Sequence, residues 1–266
     1  MIASRLLLSL LLSLSGVLGQ RCQWSHLRQS SDRYSELQTS PQHTPSPSDP
    51  LFFPATSPYP FYNNAILTPL NQTILATTQV RPLHTHSIID QEGCSSYTRL
   101  ITNDAILAVQ IFYESATNTG GVPLRVKEIH TVYFLAPGNS TEKIQANVKR
   151  ETWPSFSRSD QDARSTLKGV FDAYLDANGP VAWAGSCSML DSGKGGDLRA
   201  GQGDQCAELR LQLKEGQKIE QRMYVIDESL GAVTVSGVVG GKVAGFEGRV
   251  VKGKLEYVHQ FGDYCS

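Results

Sequence analysis

Hydrophobic and polar residues alternate most regularly near the C-terminal end of the chain. Val233, Val235 and Val239 are separated by polar residues such as Thr234 and Ser236, which is the two-residue period of a strand with one buried face. Turn-forming residues lie between the apolar runs. The pattern therefore predicts four strands of an antiparallel sheet, at Arg222–Asp227, Gly231–Val239, Phe246–Val251 and Leu255–Phe261.

A helical pattern comes before this sheet, in Ser159–Ala177. Its apolar residues recur at the spacing of one helix face, and they are Ala163, Leu167, Val170, Phe171, Tyr174 and Leu175. Ser159 is placed to cap the helix, with Asp162 three residues further on. Because a curved sheet with one apolar face must be covered, we expect this helix to close over it and leave an apolar hollow.

The N-terminal half repeats this order of elements. A helix is predicted for Cys22–Gln38 and one helical turn for His84–Gly93, and strands are predicted for Tyr62–Leu67, Thr73–Thr78, Cys94–Thr102, Ala105–Glu114 and Leu124–Leu135. The fold class is therefore α+β, with a helix packed on a curved antiparallel sheet, a cone. We expect two such units in tandem, at residues 20–145 and 146–266. One cone with additions is the alternative.

The N-terminal residues 1–19 predict a secretory signal peptide, because Arg5 precedes an apolar run that ends in small residues. Residues 39–60 hold seven of the thirteen prolines and predict an irregular loop. No later stretch approaches the length of a membrane span. We therefore expect a protein that is secreted or resides in the lumen of the secretory pathway.

The net charge and the cysteines indicate which partners the protein could bind. The net charge of −1 gives no electrostatic reason to bind nucleic acid or an anionic membrane. Secretion favours disulfides, and Cys187 and Cys206 bracket a glycine-rich loop, so we expect them to pair. Cys22, Cys94 and Cys265 cannot all pair within one chain. One of them is free or pairs between chains, which would allow a homodimer.

Two further sequence patterns concern metal binding and glycosylation. The cysteine and histidine spacings match no metal motif, so no metal site is expected. Asn71 and Asn139 each begin an Asn-x-Thr or Asn-x-Ser sequence, which predicts glycosylation of a secreted surface.

Several segments resemble a family of secreted fungal proteins of unknown function. The resemblance lies in Arg222–Val235, Gly253–His259, Cys265 and, more weakly, Cys22, Cys94–Thr98 and Glu151–Pro154. That family is similar in fold to the ketosteroid-isomerase-like cone, also called nuclear-transport-factor-2-like or SnoaL-like. The resemblance implies a deep apolar pocket and proton-transfer chemistry on a small molecule without a cofactor.

No strong catalytic motif is present, so the candidate residues are isolated titratable groups. His84 and His130 are the candidate acid and base, because histidine exchanges protons near neutral pH. Tyr62 would donate a hydrogen bond to a developing oxyanion, and Asp90 would orient a histidine. The alternative for each histidine is a solvent-exposed or simply hydrogen-bonded side chain.

The expected function is binding of a small apolar metabolite, derived from a polyketide or terpenoid. Acid–base catalysis of its isomerisation, dehydration or cyclisation, including dimerising cyclisation, would need no cofactor. The alternative is a non-catalytic secreted binding or effector-like protein. A polysaccharide-active protein is disfavoured, because the sequence shows no pair of carboxylate residues whose spacing indicates glycoside hydrolysis.

Overall fold

The structure, a computed structural model, describes residues 22–40, 60–114, 124–135, 151–176, 180–191, 199–202, 205–208, 213 and 217–262. The predicted signal peptide, most of the proline-rich loop, Asn139 and Cys265 lie outside the described residues.

The N-terminal half forms a helix and a six-stranded sheet. Its elements are α1 (Trp24–Thr39), β1 (Phe61–Asn63), β2 (Ile66–Leu67), a 3-10 turn (Leu70–Gln72), α2 (Ile74–Thr77), β3 (His84–Asp90), β4 (Ser95–Ile101), β5 (Ala105–Glu114) and β6 (Arg125–Leu135). The order of strands in this N-terminal sheet is β2-β1-β6-β5-β4-β3.

The C-terminal half has an equivalent arrangement. Its elements are α3 (Arg164–Leu175), β7 (Trp183–Asp191), β8 (Arg199–Gln202), α4 (Gln205–Glu208), β9 (Ile219–Asp227), β10 (Ala232–Val239), β11 (Lys242–Val251) and β12 (Lys254–Gly262). The order in this C-terminal sheet is β8-β7-β12-β11-β10-β9, so each strand occupies the place of its counterpart in the first sheet.

The α+β class is confirmed, but the sheets are mixed rather than purely antiparallel. β1 pairs in parallel with β6, and β7 pairs in parallel with β12. The first pair joins the β1–β2 hairpin to β6, the last strand of the antiparallel run β3–β6. The second pair joins the β7–β8 hairpin to β12, the last strand of the antiparallel run β9–β12. The pairing connects segments distant in sequence, so the local alternation of residues does not specify its direction.

The elements stack as helix, sheet, sheet and helix. Leu27 and Tyr34 of α1 pack with Leu100 and Leu107 on one face of the N-terminal sheet. α3 packs in the same way on the C-terminal sheet, where Phe171 is fully buried. The two remaining faces pack against each other, through clusters that join residues of both sheets. Both faces of each sheet are therefore largely covered, and β4 is buried along its whole length.

The strand predicted at Tyr62–Leu67 is instead the antiparallel hairpin of β1 and β2, with a turn at Asn64 and Ala65. Three further local predictions are wrong. The turn predicted at His84–Gly93 is strand β3 from His84 to Asp90, because its Ile88 and Ile89 are each buried on a different face of the sheet. The strand predicted at Thr73–Thr78 is the short helix α2.

The third error concerns the start of the long helix. α3 begins at Arg164, with Ala163 at the N-cap position, rather than at Ser159. Asp162 does not serve a capping box, because its carboxylate accepts a hydrogen bond of 3.0 Å from the backbone N–H of Gly253. Tertiary contact with the β11–β12 turn has replaced the local cap.

Candidate functional site

A cleft of about 390 Å³ lies between the two sheets. It is on the opposite face of each sheet from α1 and α3. The N-terminal sheet and its β1–β2 turn contribute Tyr62, Ala65, Glu128, His130, Thr131 and Val132. The C-terminal sheet contributes Gln221, Arg222, Met223, Ser236, Gly237, Val238 and Val243. The cleft thus combines apolar walls with a few polar groups, which is the usual composition of a small-molecule site.

Strand geometry places the polar groups of the N-terminal wall. Glu128 and His130 are two residues apart on β6, so their side chains point to the same face. β1 pairs in parallel with β6, and this register places Tyr62 directly beside His130. Their rings stack with centroids 4.5 Å apart and planes 12° apart, and Phe112 meets His130 edge-on at 5.8 Å. The imidazole is therefore held in a fixed orientation.

The electrostatics of His130 favour an uncharged ring. Its Nε2 atom lies 3.3 Å from Oε2 of Glu128 but is buried without a hydrogen-bond partner. Burial lowers the pKa of His130 below its usual value, and the neighbouring carboxylate only partly opposes this. A neutral imidazole beside a carboxylate can accept a proton from a bound molecule.

The opposite wall is shaped by a β-bulge in β9. Gln221 has a φ of +52°, and the pairing of β9 with β10 shifts register between Ser236 and Val238. Gly237 lies at this shift, and a Cβ added there would come within 2.5 Å of a methyl group of Ile219. Such bulges redirect side chains beside functional sites. Here the bulge shapes the wall that faces His130.

The charge of Arg222 is directed to helix α3 rather than left free in the cleft. Its Nη1 donates to Asp172 at 3.2 Å and its Nη2 to Asp176 at 2.5 Å. Asp172 is on α3 and Asp176 is its C-cap residue, and α3 covers the other face of the C-terminal sheet. The positive charge is therefore neutralised, and Glu128 is the acidic group of the lining.

The structure does not bring His84 to His130. They lie on β3 and β6, which are separated by β4 and β5, so three strand spacings place them about 14 Å apart across the sheet. His84 instead neighbours Arg99 and Glu247. Burial, with the positive charge of Arg99, lowers the pKa of His84 to about 4. Its Nδ1 atom is buried without a hydrogen-bond partner.

Asp90 is a buried link between the two halves and is not part of the cleft lining. Its two oxygens accept hydrogen bonds of 2.8 and 2.7 Å from the guanidinium of Arg164 at the start of α3. They also accept from the backbone N–H of Gly93 at 2.6 Å and of Ile226 at 3.0 Å. These contacts fix β3 to α3 and β9, and they do not orient a histidine.

A second group of polar residues is buried between the sheets, and we call it the ionic cluster. It consists of Arg99, Glu247, His259, His86 and Glu151. Glu247 accepts hydrogen bonds from Nη1 of Arg99 at 2.6 Å and from Nδ1 of His86 at 2.7 Å. His259 contacts Glu151 at 2.6 Å through Nε2 and Glu247 at 3.4 Å through Nδ1. Nη1 of Arg99 also contacts Nδ1 of His259.

Opposite charges control protonation within the ionic cluster. Burial opposes ionisation of Glu247, but Arg99 and the histidines outweigh it and lower the pKa of that carboxyl well below its usual value. Burial also opposes charging of His259, whose pKa is nevertheless raised by the carboxylates of Glu151 and Glu247. The cluster is therefore a balanced set of buried charges that spans both sheets.

Sequence reasoning missed Glu128 and the ionic cluster. The signal for Glu128 was present, because the spacing Glu128-x-His130 within a strand places both side chains on one face. Arg99 was detectable as a charged residue inside an otherwise buried strand, a pattern that implies a partner. No local signal identified that partner, since Glu247 is 148 residues away.

Two disulfides join described cysteines. Cys187 pairs with Cys206, as predicted, and Cys22 pairs with Cys94, which the sequence had left open. Asn71 is exposed, and its glycosylation stays a prediction. Within the described ranges, no group of three or more ligating side chains could hold a metal ion. In the same ranges, no helix is long and apolar enough to cross a membrane.

Comparison with known proteins gives little about activity. Residues 160–262, which contain α3 and the C-terminal sheet, match the model of a family described as "Domain of unknown function (DUF8021)". The search of curated proteins returned no match. Among solved structures, a match is described as "An enumerative algorithm for de novo design of proteins with diverse pocket structures", with 16% identity and a TM-score of 0.27. It covers 37% of this chain and 96% of that chain, and a TM-score this low carries no argument.

Proposed function

We propose that the protein binds a small, mainly apolar molecule in the cleft between its two sheets. The observation that carries this proposal is the stacked pair of Tyr62 and His130, which stands beside Glu128 in a cleft of about 390 Å³. A volume of this size is within the range of small-molecule pockets. Because Glu128 is acidic and Arg222 is already paired, the cleft favours neutral ligands over anions.

The same groups support acid–base catalysis on the bound molecule. His130 would remove a proton from carbon, Glu128 would stabilise the imidazolium that forms, and Tyr62 would donate to the developing oxyanion. This needs no cofactor and suits isomerisation or cyclisation of a polyketide- or terpenoid-derived ketone. The non-catalytic alternative keeps the same cleft and ligand class without turnover.

The architecture behind this proposal is a tandem of two helix-on-sheet units. The equivalent strand orders support it, and so does the family match, which begins at Asp160 and ends at Gly262. In this arrangement the cleft lies where the units meet, rather than between a helix and its sheet. The N-terminal signal pattern and the two disulfides support an extracytoplasmic location.

Binding is tested with N-phenyl-1-naphthylamine, a neutral apolar dye whose fluorescence rises in apolar pockets. We expect the wild type to bind it and Val238→Trp, which fills the cleft, to weaken binding at least about tenfold. The matched control is Leu135→Trp, because Leu135 is 64% exposed and is not part of the lining. Equal binding by both variants would reject the cleft as the site.

Catalysis is tested by deuterium exchange of the α-protons of a cyclic enone, followed by NMR. We expect the wild type to exceed the buffer rate and His130→Asn to lose about 10²-fold or more of that excess. Dye binding should be retained, because asparagine keeps most of the volume. A wild type that binds the dye but shows no exchange above buffer would favour the non-catalytic alternative.

A further inference from the structure

A buried side-chain amide crosses from one sheet to the other beside the cleft. Gln110 is only 3% exposed and lies on β5, directly opposite His130 of β6. Its amide nitrogen donates to the carbonyl oxygen of Met223 at 3.3 Å and to Oγ1 of Thr234 at 3.3 Å. Its amide oxygen accepts a hydrogen bond of 2.5 Å from the hydroxyl of Ser236. Both polar atoms of this amide are therefore used within the protein.

The carbonyl group of Met223 fixes the direction of these hydrogen bonds. A backbone carbonyl oxygen can only accept, so the nitrogen of Gln110 must face it. The amide oxygen of Gln110 then faces the hydroxyl oxygen of Ser236, and only the hydroxyl hydrogen can join these two oxygens. The single hydrogen of the Ser236 hydroxyl is therefore committed to Gln110.

The same hydroxyl oxygen belongs to the lining of the cleft. Ser236 is a lining residue and is 5% exposed. A hydroxyl group that has donated its hydrogen keeps lone pairs that can accept, so Ser236 offers a ligand an acceptor and no donor. A ligand that covers this oxygen excludes water from it. Such a ligand must supply a donor, because an acceptor left unpaired in a closed site weakens binding.

The facing wall has the same preference. Glu128 is an acceptor when ionised and lies on β6 in the N-terminal wall of the cleft. The arginine of the lining, Arg222, already donates to Asp172 and Asp176. The two walls therefore present acceptors to a ligand, which favours ligands that carry a donor of their own.

We propose that the ligand of the cleft is an apolar molecule with a hydroxyl group, a phenol or an alcohol, which donates its hydrogen to Ser236. Gln110 is a positioning residue, because it is absent from the lining and acts by holding the Ser236 hydroxyl in its accepting orientation. This inference rests on the function proposed above, since it requires the cleft to bind a ligand. It adds the chemical class of that ligand.

The test compares 4-propylphenol with 4-propylanisole, in which a methyl group replaces the hydroxyl hydrogen. Calorimetry gives both dissociation constants, and displacement of N-phenyl-1-naphthylamine shows that each molecule binds in the cleft. We define the selectivity as the dissociation constant of the anisole divided by that of the phenol. We expect the selectivity of the wild type to be at least about fivefold greater than that of Ser236→Ala, which is the effect of one neutral hydrogen bond.

Two variants separate the accepting residue from the positioning residue. In Ser236→Ala the phenol should bind about fivefold more weakly and the anisole about equally well. In Gln110→Met the hydroxyl of Ser236 is free to turn and to donate to the methoxy oxygen. The anisole should then bind more tightly while the phenol keeps its affinity. A purely structural role of Gln110 would instead weaken both ligands alike.

The matched control is Val243→Ala, which changes an apolar residue of the same lining. It should weaken both ligands to a similar extent and leave the selectivity unchanged. If either Ser236→Ala or Gln110→Met does not fold, as judged by circular dichroism, the other variant decides the question.

The outcomes distinguish this inference from the proposed function. A wild type that binds the dye but not the phenol would overturn the inference alone. The inference would also be overturned by a selectivity that both variants leave unchanged, or that Val243→Ala lowers as much as they do. If the wild type binds none of the three molecules, the proposed function fails together with the inference.

Discussion

Replacing Glu247 with glutamine tests whether the ionic cluster holds the two sheets together. Its side chain has no exposure and accepts from Arg99 at 2.6 Å, His86 at 2.7 Å and Tyr97 at 3.3 Å. The amide keeps the shape but removes the charge, which leaves Arg99 buried without its direct counter-ion. Breaking a buried ion pair in this way costs about 3–5 kcal/mol. We expect the free energy of unfolding to fall by this amount.

The assay is equilibrium unfolding in urea within a double-mutant cycle. Arg99→Met alone should also destabilise, because it leaves Glu247 without its closest cation. The double variant Glu247→Gln with Arg99→Met should lose at least about 2 kcal/mol less than the sum of the two single losses. The control is Glu220→Gln, because Glu220 forms a pair of 4.0 Å with Lys218 at the surface. We expect that change to stay within about 0.5 kcal/mol.

Either of two results would show that Arg99 and Glu247 do not hold the sheets together as a buried ion pair. A loss below about 1 kcal/mol for Glu247→Gln would mean that the buried charge of Arg99 is satisfied in another way. Strict additivity in the cycle would mean that Arg99 and Glu247 do not act as a pair.

Three smaller predictions concern stability. Gly248→Ala should cost about 1–3 kcal/mol by urea unfolding, since its Cβ would lie 2.3 Å from the ring of Phe171. Gly169→Ala should instead stabilise by about 0.5–1 kcal/mol, because this position in α3 has open space around it; a loss there would contradict the helix assignment. The pKa of His259 is raised in the folded protein. Its ion pairs therefore stabilise the fold fully at pH values below the unfolded pKa of about 6.5, and this contribution to stability is lost as the pH rises through the folded pKa. The stability advantage of the wild type over His259→Gln should therefore shrink above neutral pH, and an advantage that grows with pH would refute this sign.

The sequence determined the local elements where one pattern dominated. The alternation from Val233 to Val239 and the stripe from Leu167 to Leu175 correctly located β10 and α3, because burial of one face imposes those periods. The α+β class followed from the order of such elements. The pairing of Cys187 with Cys206 followed from their position on either side of one loop.

The tertiary structure decided which residues meet. His130 and Tyr62 belong to one site because a parallel pairing, invisible to local patterns, places β1 beside β6. His84 and Asp90 are elsewhere for the same reason, since strand order sets their distance from β6. Sequence periodicity tells which face of a strand a residue occupies, but packing of the two sheets decides what that face meets. The cleft and the ionic cluster are products of that packing, so they arise between surfaces that no single segment specifies.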